Sequence, residues 1–228
     1  MSPISISHPV PNVLANTRPS DFDRVVTSYR TLSTRILRTL HLSIRATILH
    51  SLTHALPPNL SLDTPLNDPS PTILALNANL TTFDTTVPAS ISAHGLAHLT
   101  DTYLLNLCTT RIQRMNAHGC AHMHLNVLVL QQNLKNIEHD AALPYSALYF
   151  DLFTAGPEAI VARAKQYGKG FGVKVSSEEG RGGFDEESVK ALLEMTYEER
   201  LMGENRESSV GARRALDAGL LEISEFMY

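Results

Sequence analysis

The sequence predicts an all-α protein, and three observations carry that reading. Every periodic segment longer than ten residues repeats its apolar positions at steps of three and four, the period of a helix with one buried face. The breaks between these segments are punctuated, with five prolines in residues 57–71 and six glycines in residues 168–183. Only Gly172-Val-Lys-Val175 hints at a strand, and it is too short to build a sheet. The expected architecture is a set of stacked antiparallel helical bundles.

Residues 1–20 read as an irregular tail. From Asp21 to Ala55 the stripe Phe22, Val25, Tyr29, Leu32, Ile36, Leu40, Ile44 and Ile48 defines one long amphipathic helix. Ser20 is its expected N-cap, and Pro57-Pro58 stops it, because proline lacks an amide hydrogen and clashes with the preceding turn. Residues 57–71 read as a loop, and a shorter helix is expected over residues 73–84. Leu96, Leu99, Tyr103, Leu107 and Ile112 rebuild a helical stripe up to about Met115. Met123, Val127, Leu130, Leu134 and Ile137 form the next, and Leu125, Leu128 and Val129 carry apolar character round its other side, so that helix is expected to be central. Beyond Asp140, Leu148, Tyr149, Leu152 and Phe153 mark a short helix ending near Gly156, and Pro157 suits the first turn of its successor. Residues 168–183 read as a glycine-rich loop. Asp185 caps a helix with Val189, Leu192 and Leu193 inward, and Leu216, Leu220, Ile223 and Met227 define the last.

Residues 1–138 carry nine basic and seven acidic groups, whereas residues 139–228 carry ten basic and sixteen acidic. That shift, with the shorter elements after Glu138, suggests a helical bundle over residues 21–138 and a second over residues 139–228. Composition also excludes functions. A net charge of −4 and a pI near 6.2 give no field that would gather nucleic acid along the chain. Two cysteines, Cys108 and Cys120, make no disulfide framework and no C-x-x-C pair, so the compartment reads as reducing. The N-terminus lacks the basic start and apolar stretch of a signal peptide, and no apolar run approaches a membrane span, so a cytoplasmic protein is expected.

Two side-chain groups could carry chemistry. His118, His122 and His124, with Cys108 and Cys120 near in sequence, offer imidazoles at metal-ligand spacing. Yet the position after His118, where a zinc hydrolase helix needs a glutamate to work on the metal-bound water, is Gly119. His124 follows His122 by two residues, so a helix turns it about 200° away. No metal site, cofactor or catalytic residue is therefore assigned, and a metal-dependent enzyme stays the alternative. Arg24, Arg35, Arg38 and Arg45 share one side of the first helix, which suits a solvated face or, as a further alternative, a peripheral lipid-binding surface. Gly168-Lys-Gly-Phe-Gly172 follows a helix and lacks a closing Lys-Ser or Lys-Thr, so it is read as linker and not as a phosphate loop.

Several segments resemble fungal members of the exocyst component 4 family: Leu37 to Arg45, Ile73-Leu-Ala-Leu-Asn77 with Phe83-Asp84, and Gly95-Leu-Ala-His-Leu-Thr-Asp101. The strongest match is Met115-Asn-Ala-His-Gly-Cys120 followed by Leu125 to Glu138, and Phe150-Asp-Leu-Phe153, Gly156 to Val161 and Leu221 to Met227 are similar to the family's C-terminus. The stretch from Asp84 to Gly95 is shorter than the family's. The resemblance implies that this sequence is the C-terminal part of a protein several times longer, with Met1 a misassigned start. It also implies a non-enzymatic rod of helical bundles in a complex that tethers secretory vesicles to the plasma membrane. Its implied partners are the other exocyst subunits, including exocyst complex component 3.

Overall fold

The computed structural model describes residues 20–86, 95–167, 184–201 and 206–227. Its elements run α1 (Asp21–Ala55), β1 (Asn59–Leu60), α2 (Pro71–Thr86), α3 (Leu96–Arg111), β2 (Arg114–Met115), α4 (Ala117–Ile137), α5 (Pro144–Ala155), α6 (Pro157–Tyr167), α7 (Glu186–Leu201) and α8 (Arg206–Met227). The all-α expectation holds. The expected tail, the strand hint at Gly172–Val175 and the glycine-rich loop lie outside the described residues. The described chain divides into two compact units, and the boundary falls inside α1, between Ser43 and Ile44.

α1 begins as its sequence dictates. Ser20 Oγ accepts from the Asp23 amide at 3.2 Å, and the Asp23 carboxylate accepts from the Ser20 amide at 3.1 Å, a reciprocal cap that satisfies two otherwise orphaned donors. The helix runs 35 residues, and its C-terminal part turns Ile44, Ile48 and Leu52 into the core. The apolar stripe expected to be buried along the whole helix is not: Phe22, Val25, Tyr29, Leu32 and Ile36 are exposed. Periodicity identifies which residues share a face, and only packing decides whether anything covers it.

The helix expected to reach Met115 ends earlier. Ile112 turns extended (φ −72°, ψ 116°), and Arg114 and Met115 form a parallel two-residue ladder with Asn59 and Leu60. This short β link ties the proline-rich loop to the entry of α4. Three polar side chains of that entry and helix extend the tie. Asn116 caps α4 by accepting from the Gly119 amide at 2.9 Å, and it clasps Leu62 by accepting from its amide and donating to its carbonyl. His122 Nε2 donates to the Asp68 carbonyl at 3.1 Å, and buried Asn126 accepts from the Ser70 amide at 2.8 Å.

Neighbouring helices are not all antiparallel. Asn77 meets the Val129 carbonyl and Thr81 meets Asn133, so residue numbers rise together along α2 and α4 and the pair is parallel. Val161 lies beside Gly219 and Lys165 pairs with Glu222 at 2.8 Å, so α6 and α8 are parallel too. α4 and α5 run antiparallel, with Cys120 beside Thr154 and His124 beside Asp151. α7 and α8 also run antiparallel, where Gly219 lets α8 approach Leu193.

α4 is central through one face only. Met123, Val127, Leu130 and Leu134 are buried, whereas Leu128, expected to extend the core, is 62% exposed. Leu134→Ala should therefore lose about 2–5 kcal/mol through lost transfer energy and the cavity left behind. Leu128→Ala should change stability by less than about 0.5 kcal/mol, as surface sites do. Equal effects of the two variants in urea unfolding would contradict this orientation.

α3 and α5 lack caps of their own. Gly95 precedes α3 in the left-handed region (φ 87°) and offers no side chain, and Leu143 precedes α5 with none that can cap. Both are capped by acids from elsewhere in the chain. Glu138, at the end of α4, accepts from the Gly95 and Ala97 amides at 3.1 and 3.2 Å. Asp101 of α3, buried, accepts from the Tyr145 and Ser146 amides at 2.9 and 2.8 Å and from Ser146 Oγ. Each carboxylate meets the positive end of a helix, where its charge is favoured.

Candidate interaction surface

The histidines of α4 point to different neighbours. His118 is exposed, His122 is engaged with the Asp68 carbonyl, and His124 Nε2 lies 3.6 Å from Asp151 with its ring tilted against Phe150. Among the described residues no group of three His, Cys, Asp or Glu side chains is placed to hold a metal ion. The cysteines are packing groups. Cys120 Sγ donates to the Phe150 carbonyl at 3.4 Å, and burial pushes its thiol up to about 11, well above the range where a thiolate forms at neutral pH. Cys108 is fully buried and its thiol is raised further, again chiefly by burial, while its carbonyl accepts from the Tyr149 hydroxyl. His122→Ala is expected to leave zinc content unchanged and near zero by elemental analysis of purified protein. Stoichiometric zinc that is lost in this variant would revive a metal site.

A cavity of about 430 Å³ lies between α3 and the start of α7, lined by Thr102, Asn106, Thr109, Thr110, Tyr145 and Asp185 among others. Two carboxylates line it: Asp185, which is occupied at the helix start by accepting from the Ser188 amide at 2.7 Å, and Glu187. A threonine hydroxyl becomes a nucleophile only when a base is hydrogen-bonded to it; Thr109 and Thr110 instead donate to the Asn106 carbonyl, and Thr102 donates to the His98 carbonyl. The lining offers shape, hydroxyls and carboxylates, with no histidine or lysine among them.

The surface feature with most capacity for recognition is the N-terminal part of α1. Phe22 and Tyr29 are 74% and 72% exposed, and Val25, Leu32 and Ile36 more than half. Arg24, Arg35, Arg38 and Arg45, grouped by the sequence on one side, are all exposed. Arg24 lies 3.7 Å from Asp21, an exposed contact with little energetic weight. Exposed apolar residues in an ordered row, beside cations, are the raw material of a protein interface, in which aromatic and arginine side chains carry most of the binding energy. Sequence periodicity found these residues but assigned them to the core.

Four of the six residues from Met115 to Cys120, where the resemblance is strongest, have structural roles: Met115 is buried in the β link, Asn116 clasps the loop, Gly119 lies under Leu60 and Cys120 seats against α5. The motif that looks most specific therefore marks the scaffold. No helix of the described residues is long and apolar enough to cross a membrane. No family model matches the chain. The chain is similar to the probable exocyst complex component sec8 of Neurospora crassa, with 33% identity over an alignment of 245 residues that takes in 91% of this chain. It spans 22% of that relative's length.

Proposed function

We propose that this chain is a segment of an exocyst subunit, of the component 4 type, and that it serves vesicle tethering through protein–protein contacts and not through catalysis. The observation that supports this is the 33% identity extending over 91% of the chain. The disposition of the chemical groups agrees with it. The histidines diverge, the thiols are packed and protonated, and an ordered apolar row of α1 lies on a surface. In this reading the chain acts in the cytoplasm and at plasma-membrane sites of secretion, with the other exocyst subunits as partners, component 3 among them.

The test is a chimera in which this 228-residue chain replaces the matched region of the Neurospora protein. The chimera should co-purify with the other exocyst subunits and sustain polarised secretion in cells lacking the native protein. A stable chimera that assembles but does not secrete, or that does not assemble, would overturn the proposal.

A further inference from the structure

Between residues 21 and 43, α1 carries Phe22, Val25, Tyr29, Leu32 and Ile36 at steps of three, four, three and four, all exposed. At a helical rotation of 100° per residue they fall within about 80° of arc. Val26, Leu37 and Leu40, half-buried, widen the apolar arc to about 140° on one side, and the three-and-four spacing of this seam is the a/d geometry with which one helix seats against another. Around it the arginines are interspersed with Thr and Ser, so the polar side is less densely cationic than that of a helix lying on anionic lipid.

The charge beside the seam has one sign. Asp21 and Asp23 are confined to the first turn, and from Arg24 to Ala55 the helix has no acidic residue. Arg30, Arg35, Arg38 and Arg45 are exposed and make no ion pair among the described residues. Helical rotation sets Arg24 and Arg35 along one flank of the seam and Arg30 along the other. Beyond Ser43 the same helix turns Ile44, Ile48 and Leu52 inward and buries them. One continuous helix therefore has an apolar row that is covered and another that is not.

The chain corresponds to 22% of its relative's length, so most of a protein of that kind lies outside it. We infer that the seam from Phe22 to Ile36 seats an amphipathic helix with acidic flanks, supplied by the part of the longer polypeptide that lies outside this segment. This rests on the exocyst reading above. The apolar row supplies burial, and the arginines select a partner whose Asp and Glu flank its own stripe.

Hydrogen exchange tests it, measured on the 228-residue chain alone and on the chimera, at residues 22–36 and, as internal reference, at residues 123–134 of α4. The seam should exchange at least about ten-fold more slowly in the chimera, with the α4 reference alike in both, because an unpartnered helical turn opens far more readily than a packed one. Leu32→Asp or Arg35→Glu in the chimera should remove that protection, and Leu128→Asp should not. Equally fast exchange in both proteins would overturn the inference. So would a protected seam in the isolated chain with a dimeric mass, which would make a second copy the occupant, or protection that appears only with vesicles of anionic phospholipid. If the chimera's α4 reference fails to match, the unmodified Neurospora protein, read at the aligned residues, decides the question. Co-purification of exocyst subunits with an unprotected seam would remove this inference and leave the functional proposal standing.

Discussion

Gly119→Ala is expected to destabilise the protein by about 3 kcal/mol or more, at the upper end of what overpacking does. A Cβ at this position would lie 1.6 Å from the Leu60 carbonyl oxygen and 2.8 Å from its carbon, both backbone atoms. No rotamer change relieves such an overlap. β1 would have to lift from α4, breaking the Leu60–Met115 pairing and pulling Leu62 from its clasp by Asn116. Gly211 in α8 is the control, since a Cβ there meets nothing within 4 Å. Gly211→Ala should stabilise by up to about 1 kcal/mol through helix propensity. Urea unfolding of the two variants should thus move in opposite directions. A Gly119→Ala change below about 0.5 kcal/mol would mean that Leu60 does not lie over α4.

Asp101→Ala should cost about 3–5 kcal/mol, because it strands the Tyr145 and Ser146 amides and the Ser146 hydroxyl at the buried start of α5. The pH dependence separates this role from simple packing. Burial, the strongest influence, raises the Asp101 carboxyl above its usual 3.8, and the bonds from Ser146 and Tyr145 pull it part of the way back. A raised acid binds its proton more tightly in the folded state than in the unfolded state. Its contribution to stability is therefore full below the unfolded value and declines as pH rises through the folded one. Asp101→Asn, neutral at every pH, should flatten that decline while retaining one acceptor and part of the stability. A slope identical to wild type between about pH 3 and 7 would show that Asp101 does not titrate as its burial requires.

The helices were legible because their signals are local. Ser20, Pro57 and the three-and-four spacing between them placed α1, and the same spacing with Gly156 and Pro157 placed α5 and α6. What was not legible depends on partners remote in sequence. Gly119 reads as a missing glutamate until Leu60 is seen above it, and the short β link pairs residues too few to leave a pattern. Asp101 and Glu138 look like ordinary helix polar residues, though each closes a helix more than forty positions away. The apolar row of α1 was found and misassigned, since amphipathicity is the same in a buried and an exposed helix. For the interaction surface, the signal that could have helped was the density of arginine without acids, five arginines from Arg24 to Arg45.

The borrowed caps have a consequence for how the molecule opens. A helix with its own N-cap frays from its first turn without disturbing anything else. The first turns of α3 and α5 do not have that freedom, because their amides are held by Glu138 and by Asp101. Releasing α5 exposes a carboxylate buried on α3, and releasing α3 strips the end of α4. Residues 95–155 should accordingly interconvert as one cooperative block, with exchange rates at the starts of α3 and α5 converging on a single sub-global opening. In refolding, neither start can form its cap until helices far apart in sequence have met, so this block should appear in one concerted phase set by that long-range encounter.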